Sequence, residues 1–307
     1  MNAIVAERLT KRYGDLEALD NVSFEVPAGQ FVALLGPNGA GKTTTIEILE
    51  GFLTPTSGSA RVLGSDPHRG GRNWRSRIGL VMQSTSLDQE MTVRDLLTAF
   101  GGLYPDPLPV REVLEIVDLA DEAQTRFGTL SGGQQRRVDV AVGIIGRPEI
   151  LFLDEPSTGL DPEARRHLWS GIERLAATGM TVLLTTHYME EASQLANRLI
   201  VISSGHVLAD TTPDELRNRD GHTFIRYQLP PQALVSSMPA SLAGDFDPAH
   251  NALTIKTTDV NATLRELTLW ADQHGVDLHG IEVGPPTLED AYLAITGADP
   301  GGDHDHG

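Results

Sequence analysis

GPNGAGKTTT, residues 36–45, decides the fold, because it reads as a turn built to hold phosphate between a strand and a helix. It fits G-x-x-x-x-G-K-[ST] over 36–43, after the apolar run QFVALL (30–35) and before the helical run KTTTIEILE (42–50). Gly36, Asn38, Gly39 and Gly41 stand where backbone N–H groups turn inward as a nest around phosphate oxygens. The start of the helix adds positive potential. Lys42 brings a full charge to the β- and γ-phosphates, and the hydroxyl of Thr43, next to Thr44, suits Mg2+, which prefers hard oxygen ligands. A phosphate loop names a ligand and leaves the job open, so the rest of the chain has to supply it.

Outward from this loop, short apolar runs at 77–82, 149–153, 180–185 and 198–203 alternate with helical patterns. That alternation predicts an α/β fold on a parallel sheet. Between 84 and 147 the pattern changes to helices, over 92–101, 109–119 and from Ser131 onward, predicting a helical subdomain inserted into the core. The stretch EILFLDEPSTGLDP (149–162) delivers Asp154 and Glu155 to the carboxyl end of a strand, where open α/β sheets collect ligands. Asp154 is placed to hold Mg2+ and Glu155 to polarise an attacking water as general base. MTVLLTTHYMEEA (180–192) brings His187 to the same sheet edge, able to bond the γ-phosphate and orient that water. RIGLVMQSTSLD (77–88) ends a strand with Gln83, an amide within reach of Mg2+ or the water. Tyr13, in LTKRYGDLEALDNVSF (9–24), offers a ring for stacking on a purine.

TLSGGQQRRVDV (129–140) opens a helix on Ser131, Gly132 and Gly133, so a hydroxyl and unsatisfied N–H groups form a second anion site. LSGG taken alone also reads as an ordinary Ser-capped helix. Two phosphate-binding surfaces serve one nucleotide only if they close on it from opposite sides, which a two-fold symmetric pair of copies achieves.

This constellation resembles the nucleotide-binding subunit of ABC transporters over roughly residues 1–220. GPNGAGKT resembles that family's Walker A, Gln83 its Q-loop, LSGGQ with Gln134 its signature, ILFLDE its Walker B, STGLD with Asp161 its D-loop, and His187 its switch histidine. Tyr13 stands where the family's adenine-stacking aromatic lies. DEPS replaces the commoner DEPT and keeps a hydroxyl. EGFLTPTSGSARVLGSDP (50–67) and PPTLEDAYLAITG (285–297) resemble the ATP-binding subunits of daunorubicin-resistance-type drug exporters. The resemblance implies a P-loop NTPase core binding ATP and Mg2+ and a second ABC ATPase subunit, with a homodimer the simplest pairing. It also implies a separate transmembrane permease and a place on the cytoplasmic side of the membrane as a peripheral subunit. A non-transport ABC ATPase and an importer subunit are the competing readings; LSGGQ just before ILFLDEP argues against a P-loop kinase or GTPase.

Composition sets the outer limits. The 307 residues suit two domains, and 24 Lys plus Arg against 42 Asp plus Glu leave a formal charge of −18. So acidic a surface repels nucleic-acid phosphate, and no nucleic-acid partner is expected. Cys is absent, which excludes disulfides and thiolate metal sites. No apolar run reaches the roughly 20 residues that span a bilayer, and the charged start reads as no secretory signal. Beyond the ATPase domain, 221–297 predicts a small α+β accessory domain. Its strands are expected at 223–229, 242–246, 252–256 and 276–283 and its helices at 231–237 and 260–274, in a ferredoxin-like βαββαβ order. Thr287 is a candidate helix cap, and 298–307 is expected to be a disordered tail.

Overall fold

The computed structural model describes residues 1–83, 86–219, 221–228, 238–247 and 252–296. It divides into two compact units, Met1–Pro213 and the chain from Asp214 onward.

The first unit carries two sheets. Strands β1 (Asn2–Tyr13), β2 (Leu16–Pro27) and β4 (Ser57–Val62) form an antiparallel sheet in the order β2-β1-β4. The sequence reading assigns no strands here. The reason is local: register shifts recur along both pairings of β1, and Arg8 and Asn21 take positive φ, so the period-2 alternation is broken. The second sheet has the order β5-β6-β7-β3-β8-β9, with β3 (Phe31–Leu35), β5 (Ile78–Val81), β6 (Ile150–Asp154), β7 (Thr181–Thr186) and β8 (Arg198–Ser203) parallel. These five match the expected strands to within one residue. They are legible because β3, β6 and β7 are buried along their whole length, as central parallel strands covered on both faces are. An unforeseen antiparallel edge, β9 (His206–Thr211), alternates intermediate and exposed residues.

Helices α1 (Lys42–Glu50) and α2 (Arg72–Arg75) follow the phosphate loop and β4. The expected helical insertion comprises α3 (Val93–Gly101), α4 (Val110–Ile116) and α5 (Gly132–Ile144). Thr92 caps α3 by accepting the Asp95 N–H. Helices α6 (Pro162–Ala176) and α7 (Met189–Leu195) flank β7 in sequence, and the short α8 (Pro213–Arg217) marks the boundary between the units.

The second unit is a four-stranded antiparallel sheet ordered β11-β12-β10-β13: β10 (Thr223–Gln228), β11 (Asp245–Asp247), β12 (Ala252–Thr257) and β13 (Glu282–Gly284). In chain order this is the second, third, first and fourth strand across the sheet, the ferredoxin-like arrangement. Helix α9 (Val260–His274) lays Leu267 and Trp270 on Ile225, Tyr227, Leu253 and Ile255. Two boundaries differ from expectation. The strand expected over 276–283 is confined to Glu282–Gly284, because Gly280 takes φ 62 and interrupts the extended backbone. Leu242 lies in a 3-10 turn after Pro239, so that strand starts only at Asp245. The helix expected at 231–237 and the tail at 298–307 fall outside the described residues. Helix α10 (Leu288–Thr296) is capped by Thr287, which accepts the Asp290 N–H while Asp290 accepts the Thr287 N–H.

Candidate functional site

In the parallel sheet β7 lies between β3 and β6, so the carboxyl ends of three adjacent strands carry the phosphate loop, His187 and the Asp154–Glu155 pair side by side. At the end of β3 the chain turns tightly. A Cβ on Gly36 would meet the Ile202 carbonyl oxygen at 2.3 Å, and one on Gly41, at φ 104, would meet Leu19 Cδ2 at 2.6 Å. Only glycine fits either position. Asn38 and Gly39 are exposed at the loop's crest, Thr43 is exposed and Thr44 half-buried. Thr45, which sequence reasoning passed over, is buried and donates its hydroxyl to the Gly41 carbonyl at 2.8 Å.

Lys42 is 4% exposed. Its Nζ donates to the carbonyls of Gly36 (2.8 Å) and Pro37 (3.1 Å) and stands 3.4 Å from Glu155 Oε1. Burial pulls the ammonium pKa down from its usual value, against the opposing pull of Glu155 and Asp154. Asp154 is buried and accepts the Thr185 hydroxyl; desolvation holds its carboxyl above the ordinary range, with Thr185 acting in the opposite direction. Glu155 takes φ 43, uncommon for a residue with a side chain. Its N–H donates both to the Thr185 carbonyl and to the Thr185 hydroxyl, each at 3.1 Å. Thr158 donates to its Oε2 at 3.3 Å, and His187 Nδ1 lies 3.5 Å from Oε1. Lys42, Thr158 and His187 are thus gathered around the Glu155 carboxylate, with Asp154 next to it in the chain.

The remaining candidates stand apart. Gln83 is exposed just beyond β5 and next to 84–85, which lie outside the described residues. Ser131 caps α5 in a reciprocal pair with Gln134, whose amide also donates to Glu122 at 3.0 Å. Gly132 has no atom within 4 Å of an added Cβ, whereas one on Gly133 would press on Ala164 at 2.6 Å. Asp161 caps α6, accepting the N–H groups of Glu163 and Ala164. Tyr13 ends β1, 46% exposed, with Lys11 Nζ 5.1 Å from its ring centroid. Among the described residues no hydrogen bond or ion pair joins Ser131–Gln134, Asp161 or Tyr13 to the loop at 36–45.

Sequence reasoning missed Thr185, which fixes both acidic residues; two threonines inside an apolar strand just before His187 were the available signal. It also missed a buried node in which Glu191 accepts from Ser157 and from Trp169 Nε1 (2.9 Å), tying the segment after Glu155 to α6 and α7.

For a divalent cation the donor set at hand is a hydroxyl (Thr43), a carboxylate (Asp154) and an amide (Gln83). All three offer hard oxygens, the chemistry Mg2+ selects. A cation beside Asp154 would also compensate the desolvation that now favours its protonated form.

Glu50, the last residue of α1, is buried, and burial first, then Asp154 and Glu47, push its carboxyl up to about 8. The folded chain therefore holds this proton more tightly than the unfolded chain, whose value is near 4.5. The associated stability is complete below that value and is lost as pH rises toward about 8. We expect Glu50→Gln to flatten this decline, raising unfolding stability at about pH 9 by an amount on the order of a few kcal/mol relative to the parent, with little change at about pH 4. Denaturant melts at the two pH values check it; equal effects at both would contradict the assignment.

A family model described as ABC transporter matches residues 19–158, and one described as the C-terminal domain of ABC transporter domain-containing-like proteins matches 223–287. A daunorubicin resistance ATP-binding protein of Streptomyces coeruleorubidus is 40% identical over 306 residues, covering 96% of this chain and 95% of the relative. The chain belongs to the ABC transporter family of ATP-binding proteins. Another relative of this ABC protein, a Nod factor export ATP-binding protein of Paraburkholderia xenovorans, is 36% identical over 96% of this chain and 97% of its own length. Among solved structures, an ATP-binding cassette in a dimeric post-hydrolysis state with ADP and Pi superimposes with a TM-score of 0.60 at 25% identity, covering 68% of this chain and 98% of that one. Among the described residues of the ABC protein no helix is long and apolar enough to cross a membrane.

Proposed function

We propose that the chain is the ATP-hydrolysing subunit of an ABC exporter of drugs or other amphipathic small molecules. The observation that carries the chemistry is Glu155, held between Lys42 at 3.4 Å and His187 at 3.5 Å beside the phosphate loop. The loop N–H groups and Lys42 bind the β- and γ-phosphates of ATP. Thr43, Asp154 and Gln83 would hold Mg2+, which would supply positive charge against the phosphates. Glu155 takes the proton of the attacking water, and His187 orients that water against the γ-phosphate. Ser131, Gly132, Gly133 and Gln134, with Asp161, serve the nucleotide of a second copy, and Tyr13 stacks on the purine.

The exporter reading is supported by what the relatives are called, daunorubicin resistance and Nod factor export proteins. The work is delivered to a separate transmembrane permease, which places this subunit at the cytoplasmic face of the membrane. In this reading 1–220 is the nucleotide-binding domain, its helices at 84–147 meet the permease, and 221–297 is an accessory domain. Tagged chain purified from detergent-solubilised native membranes should bring down a polytopic membrane protein and change its ATPase rate on binding it. A chain that emerges alone, with a rate indifferent to membranes, would overturn the transport reading.

A further inference from the structure

Arg136 grows from α5, five residues after Ser131, yet its guanidinium ends at the strand ends of the core. It is 8% exposed. Nε donates to the Pro156 carbonyl (2.8 Å), Nη2 to the Asp154 carbonyl (3.1 Å) and Nη1 to the Met82 carbonyl (2.6 Å), with Asp139 Oδ2 3.4 Å from Nη1. Those three carbonyls have particular neighbours in sequence. Asp154 and Pro156 flank Glu155, and Met82 precedes Gln83.

Glu155 holds a left-handed backbone, φ 43, which a residue with a side chain keeps only when its surroundings over-determine it. Thr185 fixes its N–H from one side. Arg136 binds the carbonyls of the residues on either side of it, Asp154 and Pro156, with one rigid planar fork, a geometry that needs several donors at set angles. We propose that Arg136 is a positioning residue for ATP hydrolysis: it makes the strained placement of Glu155, and that of Gln83, depend on where the Ser131 helix sits. The inference rests on the ATPase reading above and adds to it a mechanical link. Movement of α5 against the sheet would pull on the chain beside both residues at once.

Arg136→Lys is the informative variant, because one ammonium keeps the charge but cannot reproduce the fork on three carbonyls. Arg136→Gln serves as the second variant should the first fail to fold. Turnover of the full chain should fall by about a hundredfold, the scale of small misplacements of a catalytic group. Binding of a fluorescent ATP analogue should stay within about twofold, since Arg136 touches no part of the phosphate loop. A structural role alone would not produce that split. If Arg136 acts through Glu155, adding Arg136→Lys to Glu155→Gln should slow turnover by no more than about threefold further. Parental turnover in a folded Arg136→Lys chain, or a double variant showing the full product of the two losses, would overturn the proposal. Should Glu155→Gln itself leave turnover intact, the failure would lie in the assignment of Glu155 as base, and a parent chain that hydrolyses no ATP would fail the ATPase reading, neither being a failure of the link.

Discussion

Glu155→Gln is expected to cut ATP turnover by about a hundredfold to ten-thousandfold, the usual contribution of a positioned general base, while nucleotide still binds. The amide keeps the size of the carboxylate and loses its basicity. Lys42, which then lacks its anionic neighbour at 3.4 Å, retains its bonds to the Gly36 and Pro37 carbonyls, so the loop should keep its shape. The backbone of residue 155 is held by Thr185 and Arg136 through main-chain atoms, and those bonds survive the substitution. Phosphate release and binding of an ATP analogue, measured on the same preparation, separate the two effects. Near-parental release by this variant would remove Glu155 from the role of base.

Ser131→Arg should be nearly as damaging to turnover, and for a different reason. Ser131 caps α5 at the surface, without a bond to its own phosphate loop. Losing the cap costs about 0.5–2 kcal/mol of stability, small against the effect expected at a shared site. In the proposed pairing, an arginine there would project a bulky cation into the space where a second copy would present its nucleotide. Single-copy binding of an ATP analogue should therefore be spared while cooperative turnover is lost, by about a hundredfold or more. If turnover persisted, the two phosphate-binding surfaces would not be serving the same nucleotide.

The core of the site was readable because its chemistry coincides with strong local patterns. Three fully buried strands lead to Gly36, Asp154 and His187, and the tight turn at Gly36 and Gly41 admits no side chain, so glycine spacing and strand ends carry the information directly. What escaped notice depends on partners distant in sequence. Thr185 is an ordinary strand residue until β7 lies beside β6. Arg136 is one of two adjacent arginines, and nothing local tells which turns inward: Arg137 bonds the Asp118 loop instead. The N-terminal sheet was hidden by its bulges, and in the second unit Gly280 shortened a strand whose composition still suggested a long one. Motifs with fixed spacing survive such irregularity; period counting does not.

In the proposed cycle MgATP is shared between two copies of this chain. Light scattering of the Glu155→Gln chain, with and without MgATP, would detect that sharing, because that variant should bind ATP and hydrolyse it too slowly to separate. The predicted result is a monomer that becomes a dimer when MgATP is added and reverts when Mg2+ is chelated. A chain that binds ATP and remains monomeric at every protein concentration tested would contradict it.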